Sequence, residues 1–137
     1  MNYLLKCFSI LLVNLILSKS VFADEDKFIC TTEHFLVANT VWGIDKREEE
    51  FETRNLNRKY LLTITEKDII LTDTNIKNKN SQDSYRIITR VSNTKDIMSV
   101  GVSPIGVRTL VFNTEDKIGT KTLQGSFYTY VSRLRCS

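Results

Sequence analysis

Hydrophobic and polar residues alternate with a period of two over most of the chain. The segment KYLLTITEKDIILTD holds two such runs around TEKD, with Tyr60, Leu62 and Ile64 on one face of the first run. Ile69 and Leu71 share a face of the second run. This alternation is typical of half-buried antiparallel strands, and the short polar interval between the runs predicts a tight hairpin.

The same period continues in later segments, which are SYRIITRVS, DIMSVGVS, PIGVRTLVFN and TLQGSFYTYVSRLRC. Met98, Val100 and Val102 share one face of the second of these, and Leu110 and Phe112 share a face of the third. The earlier segment KFICTTEHFLVANTVWG is also strand-like. Roughly six to eight short strands with frequent turn signals predict an all-β antiparallel meander, closed as a small barrel or folded into a two-sheet sandwich.

Two segments lack the alternation. DKREEEFETRNLNRK (45–59) has helical propensity, but Phe51 and Leu56 are its apolar anchors. An apolar stripe this thin predicts a charged connection with room for one helical turn and no core helix. TNIKNKNSQDS (74–84) is almost wholly polar, which predicts a solvated loop.

The first 23 residues predict a signal peptide. Lys6 precedes the apolar run CFSILLVNLILS, and SKSVFA ends at Ala23, where cleavage is expected. The apolar run has about 12 residues against the roughly 20 that cross a bilayer, so we expect no stable membrane anchor. The alternative is an uncleaved N-terminal anchor. We therefore expect residues 24–137 to form a single all-β domain that is periplasmic or secreted.

The cysteines support this assignment. Cys7 lies in the predicted signal peptide, which leaves Cys30 and Cys136 near the two ends of the domain. An even pair in an exported chain predicts a disulfide, with two free thiols as the alternative. If the bond joins the terminal strands, it fastens the seam of a barrel, which favours the barrel over the sandwich.

The charge balance argues against nucleic-acid binding. Removal of residues 1–23 takes away Lys6 and Lys19 of the 19 basic residues and none of the 16 acidic ones, so the domain is nearly neutral. Proteins that bind nucleic acid carry clustered lysine and arginine on one face. No such cluster occurs along the chain, and we expect no nucleic-acid partner.

Catalytic chemistry has few candidate groups. His34 is the one histidine, and the adjacent Glu33 is expected on the opposite face of the strand. The acids of REEEFE are flanked by basic residues and lack a calcium-loop pattern. No glycine-rich phosphate loop is present. The sequence therefore predicts no metal, no cofactor and no enzyme activity.

The layout resembles that of the small exported β-barrel proteins of Gram-negative bacteria, the group that includes C-type lysozyme inhibitors and lipocalin-like proteins. The signal peptide, the strand meander and the near-terminal cysteines carry this resemblance. The lipocalin Gly-x-Trp motif is not matched, because Trp42 precedes Gly43 in VWGID. The resemblance implies a barrel and transfers no site residue, since a fold does not imply a function.

Aromatic residues are the remaining candidates for recognition. Trp42, Tyr128 and Tyr130 are predicted to form a recognition surface, because aromatic side chains with a polar group are favoured there. The alternative places them in the core or the seam. The sequence thus predicts a monomeric, non-catalytic binding module, which is either a carrier of a small apolar ligand or an inhibitor of a partner protein. A structural or assembly factor of the cell envelope is the alternative.

Overall fold

The computed structural model describes residues 25–38, 46–75, 81–126 and 129–137. Within these ranges the helix and the strands have the following bounds: β1 Asp26–Ala38, α1 Lys46–Asn55, β2 Lys59–Ile64, β3 Asp68–Asp73, β4 Gln82–Val91, β5 Asp96–Ser103, β6 Gly106–Asn113, β7 Ile118–Gly125 and β8 Thr129–Cys136. The predicted signal peptide lies outside the described residues. So do Trp42 and Tyr128, two of the predicted recognition residues.

The eight strands form a closed antiparallel barrel in sequence order. β1 closes it because this long strand has two partners. Its first half, from Asp26 to Thr31, pairs with β2, and its second half, from Cys30 to Ala38, pairs with β8. The all-β barrel is confirmed over the sandwich, and closure leaves the sheet without a free edge.

The predicted disulfide is also confirmed. Cys30 and Cys136 are bonded, and they are direct partners across β1 and β8. Beside them, Ile29 and Ser137 exchange two backbone hydrogen bonds of 2.9 and 3.1 Å. The covalent bond therefore fastens the seam of the barrel.

Alternate residues of each strand fill the interior. The faces predicted for the β2–β3 hairpin are the buried ones, as are Leu110 and Phe112 of β6. In β5 the inward residues are Ile97, Ser99 and Gly101, whereas Met98 and Val102 are 45% and 79% exposed. The more apolar face of this strand thus lies on the outside of the barrel.

Among the described strands, two β-bulges interrupt the alternation. One lies in β1, where the register shifts between Thr32 and His34. Glu33 and His34 consequently both lie outside, between the buried Thr32 and Phe35, and the expectation that they occupy opposite faces is wrong. The second bulge, in β4, leaves Val91 exposed.

The charged connection contains more helix than the sequence predicts. α1 has 10 residues, and its Phe51 ring packs edge-on against Phe35 with the ring centroids 5.5 Å apart. Glu52 Oε1 accepts a hydrogen bond of 2.9 Å from the backbone nitrogen of Val37. These contacts with β1 compensate for the thin apolar stripe.

No helix in the described ranges is both long and apolar enough to cross a membrane. The last residues of the predicted loop 74–84 are wrong as loop, because β4 begins at Gln82; residues 76–80 of that segment lie outside the described ranges.

Candidate ligand-binding site at the open end of the barrel

The two ends of the barrel differ in what fills them. The turns at 65–67, 92–95 and 114–117 lie at one end, together with the disulfide. The closed half is the apolar interior at this end, and its residues are Phe28, Ile64, Ile69, Ile97, Phe112 and Leu134. The open end is the opposite one, where α1 and the turn at 104–105 lie. A cavity of about 230 Å³ is present there.

Five acidic or basic side chains line this cavity, and they come from different parts of the chain: Arg58, Asp73, Asp83, Arg108 and Lys121. Each of the last four occupies a position that alternation directs into the barrel. Arg58 immediately precedes β2. Closure of the sheet therefore brings together charges that are far apart in sequence.

Lys121 is the most deeply buried of the five. It lies between the inward-facing Gly119 and Leu123 of β7 and is 4% exposed. Its Nζ lies 3.5 Å from the hydroxyl oxygen of Tyr60, 4.7 Å from the centroid of the Tyr60 ring and 5.7 Å from that of Tyr130. Cation–π contacts of this kind compensate an ammonium only partly for the loss of its hydration.

The pKa of Lys121 is lowered by this loss of hydration. Burial lowers the pKa of the ammonium from 10.5 to about 8, because the charged form is the one that loses hydration. Arg58 and Arg108 lower the pKa further by repulsion, and Asp73 acts in the opposite direction. None of the ion pairs among the described residues includes Lys121.

Arg58 and Asp73 form an ion pair at the rim of the cavity. Arg58 Nε donates to Asp73 Oδ2, and Arg58 Nη1 donates to Asn55 Oδ1 at 2.9 Å. Asn55 is in turn fixed by its own amide, which donates to the backbone oxygen of Phe51 at 2.7 Å. The other Asp73 oxygen, Oδ1, accepts a hydrogen bond of 2.8 Å from the backbone nitrogen of Asn75. The last turn of α1 thereby holds Arg58 in place.

Arg108 and Asp83 form the second ion pair, through a hydrogen bond from Arg108 Nη1 to Asp83 Oδ1. Arg108 Nε and the hydroxyl of Tyr85 are buried and have no hydrogen-bond partner among the described residues. Burial raises the pKa of the Tyr85 hydroxyl, so this group stays protonated. Gly101 lets β5 approach β4 closely beside this tyrosine, since a Cβ there would lie 2.6 Å from the backbone oxygen of Ser84.

Aromatic rings form one wall of the cavity. The Phe35 ring lies between Phe51 and Tyr130, with centroid distances of 5.5 and 4.9 Å. Tyr130 is thus the predicted recognition residue that the structure places in the cavity lining. Its role in binding stays a prediction, as do those of Trp42 and Tyr128.

A second cavity adjoins the first on the side of α1. It has a volume of about 380 Å³ and shares Phe51, Asn55 and Arg58 with the first, while Arg54 and Asn75 complete its described lining. Arg54 is also paired with Glu50, at 4.0 Å. The approach to the barrel interior therefore carries two arginines.

The charges at the open end favour an anion. Three basic and two acidic side chains line the cavity, and each acid is paired with an arginine. The Lys121 ammonium and the Arg108 Nε hydrogen therefore have capacity for an acceptor. A buried donor without an acceptor is costly, typically about 1–3 kcal/mol, and a ligand oxygen that accepts from such a donor removes the cost.

The other candidate groups of the sequence do not converge. His34 is exposed on the outside of the barrel, and Glu33 is paired with Arg135. Among the described residues, no group of three histidine, cysteine, aspartate or glutamate side chains is placed to hold a metal ion.

Sequence reasoning missed these charged residues, although a signal was present. Asp73 is in phase with Ile69 and Leu71, and Lys121 is in phase with Leu123. A charge at an inward position of a strand is rare without a partner. Several such positions within one predicted barrel would have indicated a polar interior site.

The fold and the cavity define a small closed β-barrel with a charged pocket at one end. Comparison with protein-family models, curated proteins and solved structures finds no match to this chain. The candidate site therefore rests on its own geometry.

Proposed function

We propose that this protein is a non-catalytic binding protein that holds a small organic anion in the open end of its barrel. The observation that carries the proposal is the buried Lys121 ammonium, which has no ion-pair partner among the described residues and lies beside two arginines. A buried cation without a counter-charge is costly, and an anionic ligand stabilises it.

The size and walls of the cavity support a small ligand with an apolar part. Its volume of about 230 Å³ lies just below the range of roughly 300–1,000 Å³ that is usual for ligand pockets. Phe35 and Tyr130 line the cavity beside the charged groups. The sequence predicts a small apolar ligand. The charges in the cavity instead favour a ligand that combines a carboxylate with a small apolar group.

Export is part of the same proposal. Residues 1–23 direct the chain out of the cytoplasm and are removed after Ala23, and the remaining domain works as a monomer in the periplasm or outside the cell. The Cys30–Cys136 disulfide is compatible with an oxidising compartment. N-terminal sequencing of the exported protein tests this: we expect Asp24 as the first residue, and a chain that retains Met1 in the membrane fraction contradicts it.

Matched probe molecules test the ligand class. Benzoate and benzamide share their ring and differ in charge, so the thermal unfolding temperature of the wild-type protein is measured with each. We expect benzoate to raise it, the effect to weaken with salt, and benzamide to have little effect. Equal effects of the two probes, or none from either, contradict an anion site.

Two lysine variants locate the site. Lys121→Met removes the buried cation, whereas Lys67→Met removes an exposed one from the turn at the closed end. Each variant is compared with its own ligand-free form, and circular dichroism confirms the β-fold. We expect the benzoate shift to be lost in Lys121→Met and kept in Lys67→Met. A shift that survives in Lys121→Met places the site elsewhere.

A further inference from the structure

Lys121 differs from the other lysines whose surroundings the structure describes. Lys27, Lys59, Lys67, Lys95 and Lys117 are all exposed. Lys121 alone among these six lies inside the barrel, where it lines the cavity. A buried, desolvated lysine amine is the group that forms Schiff bases with carbonyl compounds in proteins.

We propose that Lys121 captures a small 2-oxo acid or aldehyde-bearing carboxylate as a reversible Schiff base, while Arg108 holds the carboxylate of the ligand. This inference rests on the proposed function, since it names the chemical class of the bound anion. Both residues line the same cavity, and Arg108 Nε has no acceptor among the described residues. A ligand with a carboxylate next to a carbonyl carbon fits this pair, because Arg108 can donate to the carboxylate and Lys121 can attack the carbonyl carbon.

The surroundings of Lys121 favour its neutral, nucleophilic form. With the pKa at about 8, roughly a tenth of the amine is unprotonated at pH 7, a few hundred times more than for an ordinary lysine. Burial is the main cause. The charged and titratable side chains around it are Arg58, Asp73, Arg108, Tyr60 and Tyr130.

The reaction needs no reagent beyond the ligand itself. The lone pair of Nζ attacks the carbonyl carbon, and one proton passes from the nitrogen to the former carbonyl oxygen to give a carbinolamine. The C–O bond then breaks, the oxygen leaves as water after the nitrogen has given up its second proton, and a C=N bond replaces the C=O bond. The Tyr60 hydroxyl, 3.5 Å from Nζ, is the neighbouring group that can pass a proton to the departing oxygen. Burial raises the pKa of this hydroxyl, so it carries its proton at neutral pH.

Reductive trapping tests the proposal. The wild-type protein is incubated with glyoxylate and cyanoborohydride, digested, and mapped by mass spectrometry. We expect a carboxymethyl group on Lys121 well before the exposed lysines react, and a rate that rises between pH 6 and 9. Labelling that spreads over the exposed lysines, or that leaves Lys121 unmodified, overturns the proposal.

Two further measurements separate this inference from the proposed function. Lys121→Arg keeps a cation in the cavity but has no amine that forms a Schiff base, so we expect it to bind acetate yet to show no trapped adduct at position 121. Lys67→Arg is the matched control and should trap glyoxylate as the wild type does. If the wild type binds acetate and benzoate but glyoxylate is not trapped, the covalent step is wrong and the anion site stands. If none of these anions binds, both are wrong.

Discussion

The closed half and the open end of the barrel are built from the same strands in opposite ways. Along β3 the inward positions change from Ile69 to Asp73 within four residues, and along β6 they change from Phe112 to Arg108. The closed half contains tightly packed apolar side chains, while the open end contains charges around a cavity. The difference indicates that the closed half stabilises the fold. The open end instead holds charged groups that would not be kept for stability alone.

Removal of the disulfide, which lies at the closed end, is expected to have the largest effect on the free energy of unfolding. Replacing Cys30 and Cys136 by alanine opens a loop with a sequence separation of 106. The chain-entropy model gives a loss of about 4–5 kcal/mol in the free energy of unfolding. Urea titration of the double variant measures it. A loss below about 1 kcal/mol contradicts a stabilising role for the closed seam.

The next largest effect is expected in the closed half. Phe112 is fully buried and its ring packs against Phe28 at a centroid distance of 5.2 Å. Phe112→Ala leaves a cavity and should cost about 3–5 kcal/mol. Because the residue is remote from the open end, the folded variant should still show the benzoate shift in thermal unfolding. Loss of that shift in a folded variant contradicts the separation of the two halves.

A change of opposite sign is expected at the open end. The lowered pKa of Lys121 means that the folded state binds its proton less tightly than the unfolded state, so the charge costs about 3 kcal/mol of stability at pH 7. Lys121→Met removes that cost and should stabilise the protein by up to this amount. The cost is complete below pH 8 and fades as the pH rises towards 10.5. Denaturation at pH 7 and pH 10 measures it, and a destabilised variant at pH 7 contradicts it.

The smallest effect concerns the rim of the cavity. Asp73→Asn leaves Arg58 without its carboxylate, and since the arginine is partly exposed we expect a loss of about 2 kcal/mol, below that of a fully buried pair. The same change removes one negative charge from the cavity, so benzoate should bind more tightly while the protein becomes less stable. Calorimetric titration checks the affinity, and weaker binding contradicts the electrostatic argument.

The parts of the fold that the sequence predicts are those with local causes. Tyr60, Leu62 and Ile64 alternate, and their strand forms a hairpin with its nearest neighbour, so the period of two was sufficient. The disulfide followed from cysteine number and position. Bulges were not predictable, because they depend on how β1 meets β8 and β4 meets β5.

The missed features all depend on contacts between distant residues. α1 is longer than its apolar stripe suggests because Phe51 and Glu52 contact β1. The open end was missed because Asp73 and Lys121 are nearly fifty residues apart in the sequence and meet only after closure. Composition and motif spacing carry no information about such convergence, whereas the inward phase of each charge does.

The closure of the barrel also sets an order of events during biosynthesis. β1 begins at Asp26, but its partner β8 ends at Cys136 and is the last strand made. Until then one edge of β1 stays unpaired and the Cys30 thiol lacks Cys136, its partner in the closed barrel. Contacts so distant in sequence form slowly. The seam therefore closes only once β8 has been made, and an oxidant that acts earlier meets Cys30 before its native partner is present, so the thiol can react with another molecule instead.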